Sequence, residues 1–289
     1  MAVLSIQSHV VYGYAGNTAA VFPLQRLGRE VWAINTVEFS NHTGYGSWKG
    51  NVLGAQLVSD LVTGLEERGV LCKCSAVLSG YLGDGSVGKA VIEAVKKVRL
   101  FSPDALFACD PVMGDTGRGL YVKDNIPDMF KNELVPLADI ITPNLFELET
   151  LTGISNINSI DNAKKAIKTL HEMGPSIVLL TSFKEKDGHI SMIASDKKNI
   201  FITTTPELPL EENAAGTGDM TSAVFLSRFL ETKDIKKSLE LCTSSVYSIL
   251  EASYKHSIKE KDKIMELKLI HAQKEFEFPS NSFKATELL

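Results

Sequence analysis

"ADIITPNLFELETLTG", residues 138–153, changes its periodicity halfway along. Residues 138–142 form a short apolar run between polar neighbours, the pattern of a buried strand. Pro143 removes a backbone donor and stops that strand. Asn144, with Glu147 three residues on, has the spacing of a capping box, so a helix is predicted over 144–151. A strand that passes almost directly into a capped helix is half of a βαβ unit, and the fold turns on whether the chain repeats it.

The repetition is clear. Strand-like runs stand at "VLSIQ" (3–7), "VWAIN" (31–35), "SAVLSG" (75–80), "ALFACD" (105–110) and "SIVLLT" (176–181). Helical patterns near 17–27, 51–68, 86–98, 126–134 and 161–173 lie between them. This alternation predicts an α/β fold: a central, mostly parallel sheet with helices on both faces. "GHISMIAS" and "NIFITTT", joined through "DKK", read as an antiparallel pair at one edge. Helices over 219–231, 234–251 and 258–273 complete the chain. No internal repeat, low-complexity tract or linker interrupts it, so residues 1–289 read as a single domain.

Composition narrows the function. At 44% hydrophobic and 22% charged residues, the chain has ample material for a core. A net charge of -5 with no basic tract lacks the electrostatic footprint of nucleic-acid binding. The run "KEKDKIMELK" (259–268) mixes both signs and reads as a solvated helix face. No secretory signal and no membrane span are expected, and Cys72, Cys74, Cys109 and Cys242 suit reduced thiols, so a cytoplasmic location is expected. The six histidines are scattered, and a zinc site is not expected.

In open α/β sheets, ligands bind beyond the carboxyl ends of the strands. The residues there are Gln7, Ser8, Asn35, Thr36, Gly80, Tyr81, Asp110, Thr142, Asn144, Thr181 and Ser182. "GTGD" (216–219) opens the apolar helix at 219–231 and has two readings. Either its glycine amides and the helix N-terminus form a nest for a phosphate, or Asp219 caps its own helix. "ACDPVMGDTGRGLYV" (108–122) is either an acid at a strand end followed by a glycine-rich flap, with Arg118 adding charge, or a surface loop. Asn144 and Glu147 are explained by capping alone, while Glu147 is also placed to reach Mg²⁺ through water. "FSNHTGYGSWKG" (39–50) suits a small planar polar ligand or a flexible surface loop, and His42 in it a ring-nitrogen partner or a solvated side chain.

Taken in order, "IQSHVVYGYAGN", "EFSNHTGYG", "LSGYLGD", "CDPVMGD", "DIITPNLFELE" and "GTGD" resemble the motifs of the pyridoxal kinases, of the ribokinase-like superfamily. The resemblance covers about residues 3–250; "GTGD" alone points to the superfamily, while "SHVVYG" with "FSNHTGYG" points to pyridoxal. It implies ATP-dependent phosphorylation of the 5′-hydroxyl of pyridoxal, with pyridoxine and pyridoxamine as further acceptors, and a homodimer. By position, Asp219 resembles the base that accepts the hydroxyl proton, and Gly216, Thr217 and Gly218 the anion hole. Asp110 and Glu147 would sit by Mg²⁺ and the phosphates, sharing the nucleotide site with Asn144, Thr142, Thr181, Ser182 and Thr217. Ser8, Thr43, Gly44 and Tyr81 match substrate contacts, with Asp219 at the acceptor. Asp115 and Tyr121 belong to the flap. A monovalent cation such as K⁺ is also compatible with the family. Departures are Glu38, where glutamine is expected, the "TS" at Thr181, a flap without cysteine, and an adenine-pocket segment, 196–213, that matches nothing. The rival activity is a hydroxymethylpyrimidine kinase. A non-catalytic vitamin B6 or nucleotide-binding protein is disfavoured by the intact "GTGD".

Overall fold

The first seven residues of β1 (Ala2–Tyr12) are all buried, as a strand covered on both faces requires. Val3 enters one apolar layer and Leu4 and Ile6 the other, the period-two alternation of a pleated strand. The computed structural model describes residues 1–209, 214–260 and 264–288. Its strands are β2 (Glu30–Asn41), β3 (Gly50–Val52), β4 (Cys74–Ser79), β5 (Leu106–Cys109), β6 (Gly114–Asp115), β7 (Gly119–Leu120), β8 (Ile140–Ile141), β9 (Ile177–Phe183), β10 (His189–Ser195), β11 (Ile200–Pro206) and β12 (Thr286–Glu287). Ten of them form one sheet in the order β12-β11-β10-β9-β8-β5-β4-β1-β2-β3, while β6 and β7 pair separately as a hairpin. The run from β9 to β2 is parallel throughout.

Helices cover both faces, as expected for an α/β sheet. On one lie α2 (Gly54–Glu67), α3 (Gly85–Phe101), the short α4 (Ile126–Met129), α5 (Leu145–Thr152) and α6 (Ile160–Glu172), packed on Ile6, Val77, Phe107 and Val178. On the other lie α1 (Asn17–Arg26), α7 (Thr217–Thr232) and α8 (Ile235–Glu260), packed on Val3, Leu78, Ala108 and Leu179. The strand order reverses direction at β1, whose neighbours are β4 and β2. A crevice at the carboxyl ends beside such a switch point is where this architecture holds ligands.

Four local expectations change. β1 and β2 run well past residues 7 and 35, because a register shift between Gln7 and His9 lets the pairing resume as His9 with Glu38 and Tyr12 with Asn41. Antiparallel pairing occurs at both edges, since β3 joins β2 where a helix was expected to begin. Gly50 permits that approach: at φ +135, a Cβ there would lie 1.9 Å from the Glu38 carbonyl oxygen. The helix expected over 126–134 is four residues of α-helix and then a π-turn, Phe130–Leu134, just before Pro136, which has no N–H to continue a ladder.

The helix expected over 258–273 is the largest error. α8 itself reaches Glu260, residues 261–263 lie outside the described residues, and 264–272 form turns and irregular backbone. Leu267, Leu269 and Ala272 are buried together, a spacing that no single helical face provides. The reading of 259–268 as one solvated helix face therefore fails.

His171, at the end of α6, is buried with both ring nitrogens bonded. Nδ1 donates to the Pro175 carbonyl and Nε2 accepts from Ser195 Oγ, each at 2.8 Å. Burial holds its pKa below the ordinary 6.5, and the nearby Lys197 acts the same way. A depressed folded-state pKa contributes stability that is fully present above 6.5 and is lost as pH falls below it. Denaturant unfolding at about pH 7.5 and about pH 5.5 should show a smaller acid loss for His171→Gln, which cannot titrate, than for the wild type.

Candidate active site

Asp110 follows directly on β5, buried, with its backbone N–H bonded to the Ser79 carbonyl of β4. Its Oδ2 accepts from Ser222 Oγ of α7 at 2.8 Å, and Ser222 Oγ lies 2.8 Å from Thr142 Oγ1. With Ser222 donating to the carboxylate, Thr142 must donate to Ser222, so the two strand ends and α7 are fixed by one hydroxyl relay. Burial first, and then the charge of Asp219, push the Asp110 carboxyl up to about 8.

The N-cap of α7 is Gly216, in the left-handed region at φ 81. Asp219 stands in the first turn, and its Oδ2 accepts the Gly16 N–H at 2.8 Å. It is therefore not the cap of its own helix. Burial raises its pKa, against the pull of the Gly16 N–H and its own amide. The approach of the two loops, at Gly16 before α1 and at Gly216 before α7, needs glycine on each. A Cβ on Gly16, at φ +57, would lie 2.2 Å from the Ser8 carbonyl oxygen; one on Gly216 would lie 2.3 Å from that of Tyr14. Gly218 faces open space, and the first-turn amides of a helix have no intrahelical acceptors, so this end of α7 is available to an anion. Thr217 Oγ1 turns back to the Ala214 carbonyl at 2.8 Å.

The capping box of α5 is formed, and it does more than start a helix. Glu147 Oε2 accepts from Asn144 N at 2.9 Å, while Oε1 accepts from Met113 N at 3.0 Å, at the base of the β6–β7 hairpin. Asn144 Nδ2 donates to the Gly114 carbonyl at 2.8 Å and reaches Asp115 Oδ1 at 3.3 Å. Burial and then Asp110 raise the Glu147 carboxyl well above its ordinary range. On the same hairpin, burial followed by the charges of Glu147, Asp115, Asp219 and Asp110 raises the Tyr121 hydroxyl. Burial raises Asp115 against the opposing charge of Arg118. Arg118 extends the hairpin to the 42–44 loop, with Nη1 3.7 Å from where a Gly44 Cβ would stand.

Asp110, Asp115, Asn144, Glu147, Asp219 and Tyr121 thus converge around one charged cleft. Ser8 is buried against Gly16. Thr43 and Gly44 lie exposed in a 3-10 turn, Thr43–Tyr45, where His42 Nδ1 accepts from Gly44 N at 3.1 Å. Burial and then Arg118 lower the His42 pKa. Tyr81, half-buried, accepts from Thr36 Oγ1 through its carbonyl at 2.7 Å. Thr181 and the exposed Ser182 lie on β9, two strands along from β5, with Thr181 N bonded to the Pro143 carbonyl at 3.0 Å. Glu38 Oε2 lies 2.8 Å from His9 Nδ1, and the same carboxylate accepts from Asn35 Nδ2. Of the segment 196–213, residues 196–199 form the turn after β10, 200–206 are β11, and 210–213 lie outside the described residues.

Gly16 and Ser222 were missed from the sequence. The glycines of "YGYAGN" were a signal for the first; a serine inside a helix gave none for the second. Among the described residues, no three His, Cys, Asp or Glu side chains are arranged to hold a metal unaided. Buried carboxylates with raised pKa values nevertheless suit Mg²⁺, which takes few protein ligands and keeps its waters.

A parallel sheet with acids at its carboxyl edge, a glycine-led helix N-terminus and a hairpin over both defines a ribokinase-like kinase. Residues 61–264 match the phosphomethylpyrimidine kinase family model. The chain is 47% identical to the pyridoxal kinase PdxY of Rubrobacter xylanophilus, over 97% of this chain and 95% of that one. It is 45% identical to that of Granulibacter bethesdensis, over 99% of both. The pyridoxal kinase from Leishmania donovani, solved with ADP and pyridoxamine, superposes with a TM-score of 0.93 at 31% identity, over 100% of this chain and 99% of that one. The chain belongs to the pyridoxal kinase family and is an enzyme, a kinase.

Gly16→Ala tests the cradle directly. The added Cβ must displace Ser8 or the loop, and the Gly16 N–H moves away from Asp219. Turnover should fall by about 10²-fold, and the thermal midpoint should fall as well, because the clash is with backbone at a left-handed φ. Near-normal turnover would show that Asp219 does not need this donor.

Proposed function

We propose that this kinase transfers the γ-phosphoryl group of ATP to the 5′-hydroxyl of pyridoxal, and to pyridoxine and pyridoxamine as related acceptors. The observation that carries the reading is Asp219, held by Gly16 beside Ser8 on one side and at the open N-terminus of α7 on the other. In this reading the 5′-oxygen bonds to the γ-phosphorus as the bond to the β-phosphate oxygen breaks. Asp219 takes the hydroxyl proton, and the amides of Gly216, Thr217 and Gly218 meet the charge on the transferring oxygens. Ionised Asp219 is the competent form, so the burial that raises its pKa sets an acid limb on activity, with the Gly16 N–H holding that limb at lower pH.

Asp110 and Glu147 would hold Mg²⁺ through water, where it supplies positive charge to the phosphates; a monovalent cation such as K⁺ belongs to the same reading. Asn144, Thr142, Thr181 and Ser182 line the nucleotide side, and Thr43, Gly44 and Tyr81 the acceptor side. Asp115 and Tyr121 close the hairpin over both, excluding water from a transfer that water would divert. The relatives at 47% and 45% identity, both pyridoxal kinases, support pyridoxal over the hydroxymethylpyrimidine that the family model suggests.

The same reading takes residues 1–289 as one domain, supported by a single sheet whose strands run from Ala2 to Glu287. It takes the enzyme as a cytoplasmic homodimer. The four free cysteines support the first part, and the exposed Val11 and Tyr12 at the outer end of β1 the second. Among the described residues, no helix is long and apolar enough to cross a membrane.

Two measurements decide the chemistry. Asp219→Asn keeps the side-chain shape but not the base, so kcat should fall by roughly 10²–10⁴ with ATP affinity nearly unchanged; retained turnover would remove the base from this position. Wild-type kcat/KM should favour pyridoxal over hydroxymethylpyrimidine, and Ser8→Ala and Thr43→Val should raise KM for pyridoxal but not for ATP. Comparable values for the two heterocycles would overturn the pyridoxal assignment.

A further inference from the structure

Glu266 lies in the C-terminal segment, beyond the motifs that carry the family resemblance, and its carboxylate touches two loops of the acceptor side. Oε2 accepts the backbone N–H of Tyr14 at 3.2 Å, in the loop that ends at Gly16. Oε1 accepts from the hydroxyl of Tyr45, in the turn that carries Thr43 and Gly44. Gly13, at φ +84, leaves the room: a Cβ there would lie 2.7 Å from each carboxylate oxygen. The Tyr45 ring is further fixed by an edge-on contact with Tyr12, centroids 6.0 Å apart.

This contact is not needed to seat the segment that bears it. Leu267 and Leu269 are fully buried among α1, α7 and α8, and Lys268 N donates to Ser253 Oγ of α8 at 2.9 Å. Those anchors would hold the backbone whatever stood at 266. Among the described residues, its two hydrogen-bond partners are both donors on the acceptor side of the cleft.

We propose that Glu266 is a positioning residue: it ties the Thr43–Tyr45 turn to the loop whose Gly16 amide holds Asp219, and so keeps the acceptor in register with its base. Asp219 is fixed at one end of that loop by Gly16, and the acceptor turn at the other through Tyr45. Without the tie, the two would vary independently, and a shift of about 1 Å between acceptor and base is enough to cost turnover. Burial and the bond to Glu266 hold the Tyr45 hydroxyl in its protonated, donating form. The inference rests on the reading of Thr43 and Gly44 as acceptor contacts.

The test uses Glu266→Ala, Glu266→Gln, Tyr45→Phe and the Glu266→Ala/Tyr45→Phe double variant of the full chain. Glu266→Ala should raise KM for pyridoxal about tenfold and lower kcat with it, while KM for ATP stays within about twofold. Tyr45→Phe should act in the same direction but less, since the Tyr14 contact survives. The double variant should match Glu266→Ala alone, because both remove the same tie. Glu266→Gln should recover most of the loss: its oxygen can accept from Tyr14 N and its amide can donate to the Tyr45 oxygen. Amide hydrogen exchange in residues 13–16 and 42–46 should quicken in Glu266→Ala and not in Glu266→Gln. Unchanged exchange in Glu266→Ala, equal rises in both KM values, or fully additive losses would each overturn the tie. Absence of pyridoxal turnover by the wild type would instead overturn the substrate assignment, and the exchange measurement would still decide the tie.

Discussion

The hydrogen bond from the Gly16 amide to Asp219 spans 203 residues of chain, and most of the cleft depends on it. It needs β1 to bulge near Ser8, a loop that only glycine can turn, and α7 to arrive with its first turn against that loop. The two apolar layers supply the last condition. Ala20 and Leu24 of α1 and Met220, Ala223 and Val224 of α7 share one layer, so the two helix N-termini meet at the same sheet edge. A backbone donor cannot rotate away, so the carboxylate has one preferred position.

Four carboxylates within one cleft oppose one another, and the fold meets this with neutral donors. Asp110 takes the hydroxyl of Ser222, Asp219 the Gly16 amide, Glu147 two backbone amides and Asp115 the Asn144 side chain. These bonds offset only part of the burial and mutual repulsion, since all four carboxyls remain raised. What is left is an excess of negative potential aimed at the mouth of the cleft. On the proposed reading, a cation entering with a polyphosphate would relieve it, making binding of the two together more favourable than binding of either charge alone.

Periodicity and strand-end polarity made the sheet, the layers and the position of the cleft legible, because these follow from local patterns. Asp110, Glu147 and Asp219 could be named because each follows a strand or opens a helix. Two kinds of feature were not legible. Ser222 and Glu266 meet partners far away in sequence, and nothing near them in the chain records the contact; the glycines around Gly16 mark a tight loop but not its partner. The C-terminal segment misled because mixed charges and scattered apolar residues resemble an amphipathic helix. Its true determinant is the pair Leu267 and Leu269, which must enter a layer built by other helices. The extension of β1 past Gln7 was hidden likewise, since pairing with β2 is a property of two strands rather than of either.

Glu147 makes the cleft's charge and the hairpin's hinge a single variable. Both of its oxygens face backbone N–H groups, one at Asn144 and one at Met113. Glutamine in its place would set an amide N–H₂ against one of those N–H groups, leaving donor opposed to donor in a buried site. Protonation would do the same, with an O–H in place of the N–H₂. Any chemical event that discharges this acid therefore also loosens the root of the β6–β7 hairpin. Neutral substitutes of the same shape are closed to drift at this position, since the hinge would reject them even where the chemistry did not.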